Sequence, residues 1–280
     1  MIQNIPKIFL KNLNETIVHI KDSTKGLDHE VKIIQTKNSK YVIKFPRKNP
    51  ELIDREFIAC SKLKGIIPVP NILFKNKKYI IETYIPGKNF SEVKLTLKER
   101  KKIYKELGTI LRKIHSVHMK GYGFVKSNGK GMYPTLKKQV FHNRRKYLLR
   151  LKKIISEKEY KNVLKFLKEN DHYANSKESV MLHYDYENWN IKIYKKRISG
   201  IIDFGDLFAG PKSYDLTRPF ISHYFDGMFK YFLEGYGKID LFEIKYYVVI
   251  SLLWMIEYHK DKNNKKHLKE GLQILKDITN

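Results

Sequence analysis

Cys60 is the only cysteine in the 280-residue chain. A lone thiol excludes an intrachain disulfide and any multi-cysteine metal site. Acidic residues are also scarce: 29 Asp and Glu stand against 56 Lys and Arg, a formal charge of +27. Between Leu107 and Ser156 there is no acid at all, while Arg112, Lys113, Lys120, Lys137, Lys138, Arg144, Arg145 and Lys146 fall there. Such a run is either an electrostatic footprint for nucleic acid, an anionic membrane or an anionic ligand, or a solvated surface in a lysine-rich chain. No RNA- or DNA-binding motif accompanies it, which favours the solvated surface.

Long apolar runs are missing too. The start, MIQNIPKIFLKNLN, lacks the continuous apolar stretch and small-residue cleavage site of a signal peptide. The most apolar stretch, Ile244 to Ile256, contains Lys245 and is too short for a hydrocarbon core of ~30 Å, so it reads as a buried helix. There is no Gly/Ser- or Pro-rich linker and no fixed-period repeat. With 42% hydrophobic and 13% aromatic residues the chain is globular rather than disordered, and its length suits one large or two modest domains. A cytoplasmic monomer without membrane or nucleic-acid partners is expected.

The first 85 residues carry strand signals around one helix. Thr16 to Ile20, Glu30 to Thr36, Lys40 to Phe45 and Tyr79 to Thr83 are rich in β-branched and aromatic residues, with a hairpin turn expected at Asn38-Ser39. Ile53, Phe57, Cys60 and Leu63 recur at helical spacing, so Ile53 to Lys64 reads as a helix ended by Gly65 and Pro68. After Pro86-Gly87 the pattern turns helical: Leu97 to His118, Val140 to Ile155, Glu157 to Glu169, Tyr224 to Tyr236 and Leu241 to His259. The outline is α+β, with a small strand-rich lobe over 1–85 and a larger, mainly helical lobe over 86–280.

The chemistry concentrates in HYDYENWN and IIDFGD. His183, Asp185 and Asn190 match H-x-D-x-x-x-x-N, and Asp203-Phe204-Gly205 supplies a metal-binding Asp motif. Asn190 to Tyr194 and Ile198 to Phe204 read as two strands joined through Lys195-Lys196-Arg197. A hairpin centred between Lys196 and Arg197 pairs position 190 with 203, setting the Asn190 amide and the Asp203 carboxylate at one end. One neutral and one anionic oxygen ligand beside phosphate oxygens suit Mg²⁺. Asp185, in the loop entering the hairpin, can orient a hydroxyl and accept its proton, and phosphoryl transfer asks for little more than positioning and charge neutralisation. Isolated Asp and Asn residues near turns are usually caps; two motifs in order, joined by a self-consistent hairpin, are not explained that way. Upstream, Lys44 in YVIKF resembles a strand lysine that pairs with nucleotide phosphates. Strand alternation separates Val42 and Lys44 from Tyr41, Ile43 and Phe45, and Glu56 on the following helix is placed to reach Lys44.

At these residues the chain resembles the aminoglycoside phosphotransferase family, which shares the bilobal protein-kinase-like fold with choline and other small-molecule kinases. LGTILRKIHSVHMKGYGF, IIETYIPG and GPKSYDL extend the likeness over nearly the whole chain. The resemblance implies a small antiparallel-sheet N-lobe with one key helix, and a larger helical C-lobe. It implies ATP or GTP as donor, Asp185 as catalytic base, and Asn190 and Asp203 as Mg²⁺ ligands. Lys44 would hold the α/β-phosphates, Glu56 would orient Lys44, and Thr83, Tyr84 and Ile85 would meet the purine. His183 would be structural, and Asp215 would brace the catalytic loop. Three departures separate the chain from protein kinases: STKGLDHEV has only Gly26 where they have a glycine-rich loop, Tyr184 replaces an Arg, and no Ala-Pro-Glu follows IIDFGD.

The resemblance puts an aminoglycoside first among acceptors, ahead of macrolides, with Glu187, Asp206, Asp226 and Glu234 as candidate contacts to a cationic antibiotic. Solvated faces account equally for Asp226 and Glu234, and the acid-free segment opposes a cationic substrate if it lines the site. One alternative is a metabolic kinase for choline, an amino alcohol or a sugar, with Trp254, Tyr236 and Tyr258 as aromatic cation contacts. Another is a nucleotide- or nucleic-acid-binding protein that has kept the fold without catalysis.

Overall fold

In a computed structural model, which describes residues 5–23 and 28–280, the alternating segments near the N-terminus form an antiparallel sheet. In chain order the elements are α1 (Ile5–Leu13), β1 (Ile17–Ser23), β2 (His29–Thr36), β3 (Lys40–Pro46), α2 (Glu51–Leu63), β4 (Ile72–Lys75), β5 (Ile80–Thr83) and β6 (Lys88–Asn89). They continue through α3 (Leu97–Ile114), β7 (Tyr122–Val125), β8 (Gly131–Tyr133), α4 (Leu136–Phe141), α5 (Arg144–Leu151), α6 (Glu157–Asn170), β9 (Val180–Leu182), β10 (Ile191–Tyr194) and β11 (Arg197–Ile201). The last are β12 (Phe208–Gly210), α7 (Lys212–Asp215), α8 (Thr217–Ser222), α9 (Phe229–Tyr236), α10 (Leu241–Asp261) and α11 (Lys265–Thr279). The fold is bilobal and kinase-like. One compact unit comprises Met1–Lys94, Lys126–Gly129 and Asn188–Leu207; the other comprises Leu95–Val125, Lys130–Glu187 and Phe208–Asn280.

In the first unit the sheet runs β1-β2-β3-β5-β4. Alternation along β3 divides its residues between two faces. Tyr41 and Ile43 join Ile34, Ile81 and the α1 residues Ile5 and Phe9 in one buried cluster. The other face carries Lys44, which pairs in register with Ile80 of β5, while Val42 pairs with Glu82. Lys44 and Glu82 are therefore diagonal neighbours on one face. A second sheet, β11-β10-β6, holds the hairpin of the two motifs. Its turn is Lys195-Lys196, both with positive φ (48° and 61°), the two-residue type I′ geometry that matches strand twist. The turn is centred between Lys195 and Lys196 rather than between Lys196 and Arg197, which offsets the register by two at the turn, and the bulge reduces the offset to one at Asn190. Lys192 faces Gly200 and Ile191 faces Ile201, with a bulge between Lys192 and Ile193. Asn190 lies opposite Ile202, whose N–H donates to the Asn190 carbonyl at 2.9 Å. Bulges add a residue to one strand and bend it, and periodicity alone cannot place them.

In the second unit α3 starts at a capping box in which Thr96 and Glu99 satisfy each other's backbone N–H groups. It crosses α9 at two glycines. A Cβ on Gly108 would lie 2.0 Å from the Phe232 carbonyl oxygen, and one on Gly235 would lie 1.8 Å from that of Lys105. Helix α10 buries residues on every side, from Ile244 and Tyr246 to Met255 and Ile256, as a helix apolar all round must. No helix among the described residues is long and apolar enough to cross a membrane. Two expected helices are corrected. Val140 to Ile155 is broken into α4 and α5 at Asn143, which takes φ 59°. The helix expected from Tyr224 begins only at Phe229, after a turn containing Gly227 at φ 68°.

Candidate active site

The first unit assembles one charged cluster. Lys44 Nζ sits 3.0 Å from Glu56 Oε1 and 3.0 Å from Glu82 Oε1, and all three side chains are nearly inaccessible. Burial works against the Lys44 ammonium, but Glu56, Glu82 and Asp203 outweigh it and hold its pKa well above the ordinary value. For Glu82, burial dominates: with Glu56 and Asp203 adding repulsion against the pull of Lys44, its carboxyl is pushed up to about 7. Glu56 has a second duty. Its Oε2 accepts the Phe204 N–H at 2.9 Å, tying α2 and Lys44 to the turn that carries Asp203. Asp203 itself holds a left-handed φ of 67°, a conformation Asp tolerates better than most residues. Arg55, paired with Glu51 at 2.8 Å, donates to the Gly205 carbonyl at 3.4 Å from the same helix.

Three carboxylates thus surround one ammonium, and Glu82 Oε2 is buried without a hydrogen bond. This excess of negative charge, with Asn190 buried near the same hairpin end, is the donor chemistry of a hard divalent cation. Among the described residues no cluster of three or more His, Cys, Asp or Glu side chains could hold a metal by itself, so phosphate and water oxygens would have to complete the shell.

At the stretch expected to meet the base, the Tyr84 N–H donates to the Lys40 carbonyl at 3.2 Å and the Thr83 N–H to that of Asn71 at 3.0 Å. Of the three positions expected to meet a purine, the Thr83 and Tyr84 amides are therefore both committed to backbone partners. Ile85 packs over Gly200, where a Cβ would come within 2.9 Å of its side chain. The phosphate-loop expectation at Gly26 lies outside the described residues.

Asp185 belongs to the second unit. The loop before it is held by Asp215, which has no solvent exposure. Its two oxygens accept the His183 N–H at 2.8 Å and the Tyr184 N–H at 2.7 Å. One of them also meets His115 Nε2 at 3.0 Å, and His115 Nδ1 meets the Tyr236 hydroxyl at 2.7 Å. Tyr184 takes φ 68°, and its ring stacks on Phe208 at 4.4 Å. The Asp185 carboxylate lies 3.8 Å from Arg218, and its carbonyl accepts the Glu187 N–H.

The carboxylates expected to meet a cationic acceptor are occupied. Glu187 is buried and accepts from Ser222 at 2.6 Å. Asp226 is in the turn before α9, bonded to Arg100 at 3.1 Å and to His223 at 3.2 Å; these partners and the Met228 N–H overcome partial burial and lower its pKa. Glu234 pairs with Lys105 at 2.5 Å. Asp206, in the first unit, counters the burial that lowers the pKa of Arg55. The aromatic set considered for choline is not a cage, because Tyr236 is buried against His115 and Arg218 lies 5.8 Å over the Trp254 ring.

Sequence reasoning missed Glu82, Arg218 and the Arg55 link. Glu82 had a signal: an acid after Ile80-Ile81 in a strand whose alternation turns it to the Lys44 face. Arg218 had none, since its pairing with Asp185 follows from the path of α7 and α8.

Solved structures share the fold at low identity. A thermostable mutant of aminoglycoside phosphotransferase APH(4)-Ia, in ternary complex with AMP-PNP and hygromycin B, is 15% identical with a TM-score of 0.75, covering 99% of this chain and 98% of that one. The gentamicin complex of APH(2")-IIa is 18% identical at TM-score 0.68, covering 98% and 95%. Macrolide 2'-phosphotransferase MphH from Brachybacterium faecium is 16% identical at TM-score 0.63, covering 97% of each chain. No curated protein sequence matches the chain. Residues 19–244, with the Lys44 cluster, the Asp185 loop and the Asn190–Asp203 hairpin among them, match the phosphotransferase enzyme family (APH), and the chain belongs to that family.

Proposed function

We propose that the chain transfers the γ-phosphoryl group of ATP or GTP to a hydroxyl of a small molecule, with Mg²⁺. The observation that carries this is the Lys44–Glu56–Glu82–Asp203 cluster, whose unbalanced negative charge suits a cation and whose buried ammonium suits phosphate oxygens. Asn190 and Asp203 would hold the Mg²⁺, which neutralises phosphate charge when bound. Lys44 binds the α/β-phosphates, Glu56 keeps Lys44 in place, and Thr83, Tyr84 and Ile85 contact the base. Asp185 accepts the acceptor hydroxyl's proton as its oxygen bonds to phosphorus. The bond from phosphorus to the β-phosphate oxygen breaks with its electron pair staying on the nucleoside diphosphate, leaving a phosphate monoester. Arg218 keeps the Asp185 carboxylate turned to one side until the hydroxyl arrives.

An aminoglycoside acceptor, and with it a role in antibiotic resistance in the cytoplasm, is supported by the likeness to kinases crystallised with hygromycin B and gentamicin. The internal pairing of Glu187, Asp226 and Glu234 weighs against a polycation and favours the second reading, a metabolic kinase for a small alcohol or sugar. The test is mass spectrometry of an aminoglycoside, macrolide, amino-alcohol and sugar panel incubated with enzyme, Mg²⁺ and ATP or GTP. Gain of one phosphoryl group on any compound is expected; nucleotide binding with no product across the panel counts against transfer and favours a non-catalytic role. Asp203→Ala should also abolish the metal dependence of nucleotide binding.

A further inference from the structure

Beside the Asp185 loop, wholly within the second unit, lies a cavity of about 190 Å³. Its walls include Phe124, Tyr133, Tyr147, Tyr184, Phe208 and Trp254, and no Asp or Glu lines it. Much of the lining comes from the acid-free segment between Leu107 and Ser156. The one Lys or Arg in the cavity lining, Arg144, is neutralised by a two-point pair with Asp171 at 2.6 and 3.3 Å. Ring faces can hold one cation, but without a free carboxylate this lining has nothing to balance the several ammonium groups of a polycation.

Three observations tie the cavity to the reaction. Tyr184, in its wall, immediately precedes Asp185, and its ring is fixed by stacking on Phe208 with Phe124 edge-on at 5.5 Å. Trp254, also in the lining, is capped by Arg218, which also pairs with Asp185. Gln139 lines the cavity with its amide hydrogen-bonded to the Tyr214 hydroxyl, while its Oε1 is buried without a hydrogen-bond partner. A buried acceptor left unpaired is costly and suits a donor on a bound molecule. Volume limits that molecule. The cavity equals about six waters at ~30 Å³ each, and an apolar cavity of ~150 Å³ already accepts benzene. Its sheltered part therefore holds one substituted ring, and any further ring of a larger molecule would stay in solvent.

We propose that this cavity is the acceptor subsite, and that the acceptor is an uncharged single-ring compound. It would present an O–H or N–H to Gln139 and a hydroxyl toward Asp185. The proposal rests on the phosphotransferase reading for its chemistry, with the atom balance given above, but its binding step does not need the nucleotide.

The experiment is a titration of the methyl-labelled full chain, without nucleotide, using para-hydroxybenzyl alcohol as probe and gentamicin as the polycation. The probe should shift the Val140, Ile250 and Leu253 methyl signals saturably, and gentamicin should leave them in place. Gln139→Leu should weaken the probe about fivefold, the worth of one hydrogen bond. Leu253→Trp, which fills the space, should abolish the shifts. Unmoved methyls in the folded wild type, or the same methyls shifted by gentamicin, would overturn the proposal. Phosphorylation of gentamicin without cavity binding would leave phosphoryl transfer standing and remove this subsite. Probe binding with no transfer to any acceptor would do the reverse.

Discussion

Replacing Asp215 with alanine removes the buried carboxylate on which the loop before Asp185 hangs. Two backbone N–H groups, those of His183 and Tyr184, lose acceptors at 2.8 and 2.7 Å, and His115 loses its partner at 3.0 Å. Each stranded buried donor costs about 1–3 kcal/mol, and breaking a buried charged contact by removing one partner costs about 3–5 kcal/mol. Since these overlap, we expect a total loss near 3–5 kcal/mol, a large part of a domain's usual stability of about 5–15 kcal/mol. Asp215→Asn should not rescue it, because one amide arm would point a donor at a donor. Urea titration reads the stability, and steady-state kinetics on the folded protein reads the loop. Turnover should fall because Asp185 is no longer positioned, while nucleotide affinity, which resides in the other lobe, should hold. A variant that loses under about 1 kcal/mol and turns over normally would refute the reasoning.

Other outcomes follow from the same contacts. Glu56→Gln keeps an acceptor for the Phe204 N–H but removes the charge facing Lys44, so the nucleotide KM should rise about tenfold or more. Gly108→Ala drives a methyl into the Phe232 carbonyl and should cost about 3 kcal/mol, the upper range of overpacking, read by thermal or urea unfolding. Glu82, pushed up to about 7 chiefly by burial, binds a proton in the folded chain that it lacks when unfolded between pH ~4.5 and ~7. Its contribution to stability is therefore present below its unfolded pKa and lost as pH rises through about 7. Glu82→Gln should gain on the wild type across that window, and urea midpoints compared at pH 5 and 8 would show whether it does.

Much of the first unit is local in origin and could be read from periodicity. The strands at Glu30 to Thr36 and Lys40 to Phe45, the helix carrying Glu56, and the face of β3 that bears Lys44 all follow from spacing. The motif hairpin was legible too, but its register was not, because the turn falls at Lys195-Lys196, one residue before the expected centre, and a bulge between Lys192 and Ile193 depends on packing. Helix α1 was not anticipated, since Ile5 and Phe9 gain their meaning only against Ile34, Tyr41 and Ile81. The association of 188–207 with the first unit rests on contacts such as Lys192 to Asn89 and Ile201 to Pro68, far apart in sequence. The break at Asn143 needs a positive φ that Asn permits without announcing. Pairing partners were the least legible. Arg100 for Asp226, Lys105 for Glu234 and Arg218 for Asp185 come from crossings of helices and turns, and they decide which carboxylates remain to meet a substrate.

The most direct test of phosphoryl transfer compares wild type with Asp185→Ala, using nucleotide labelled at the γ-phosphate and the hydroxyl-compound panel, with nucleotide affinity measured in parallel. The account predicts label on an organic acceptor with the wild type. In the variant it predicts a fall of about a hundredfold or more, the usual worth of a positioned general base, and nearly unchanged nucleotide binding. Wild-type-like turnover in Asp185→Ala would contradict it.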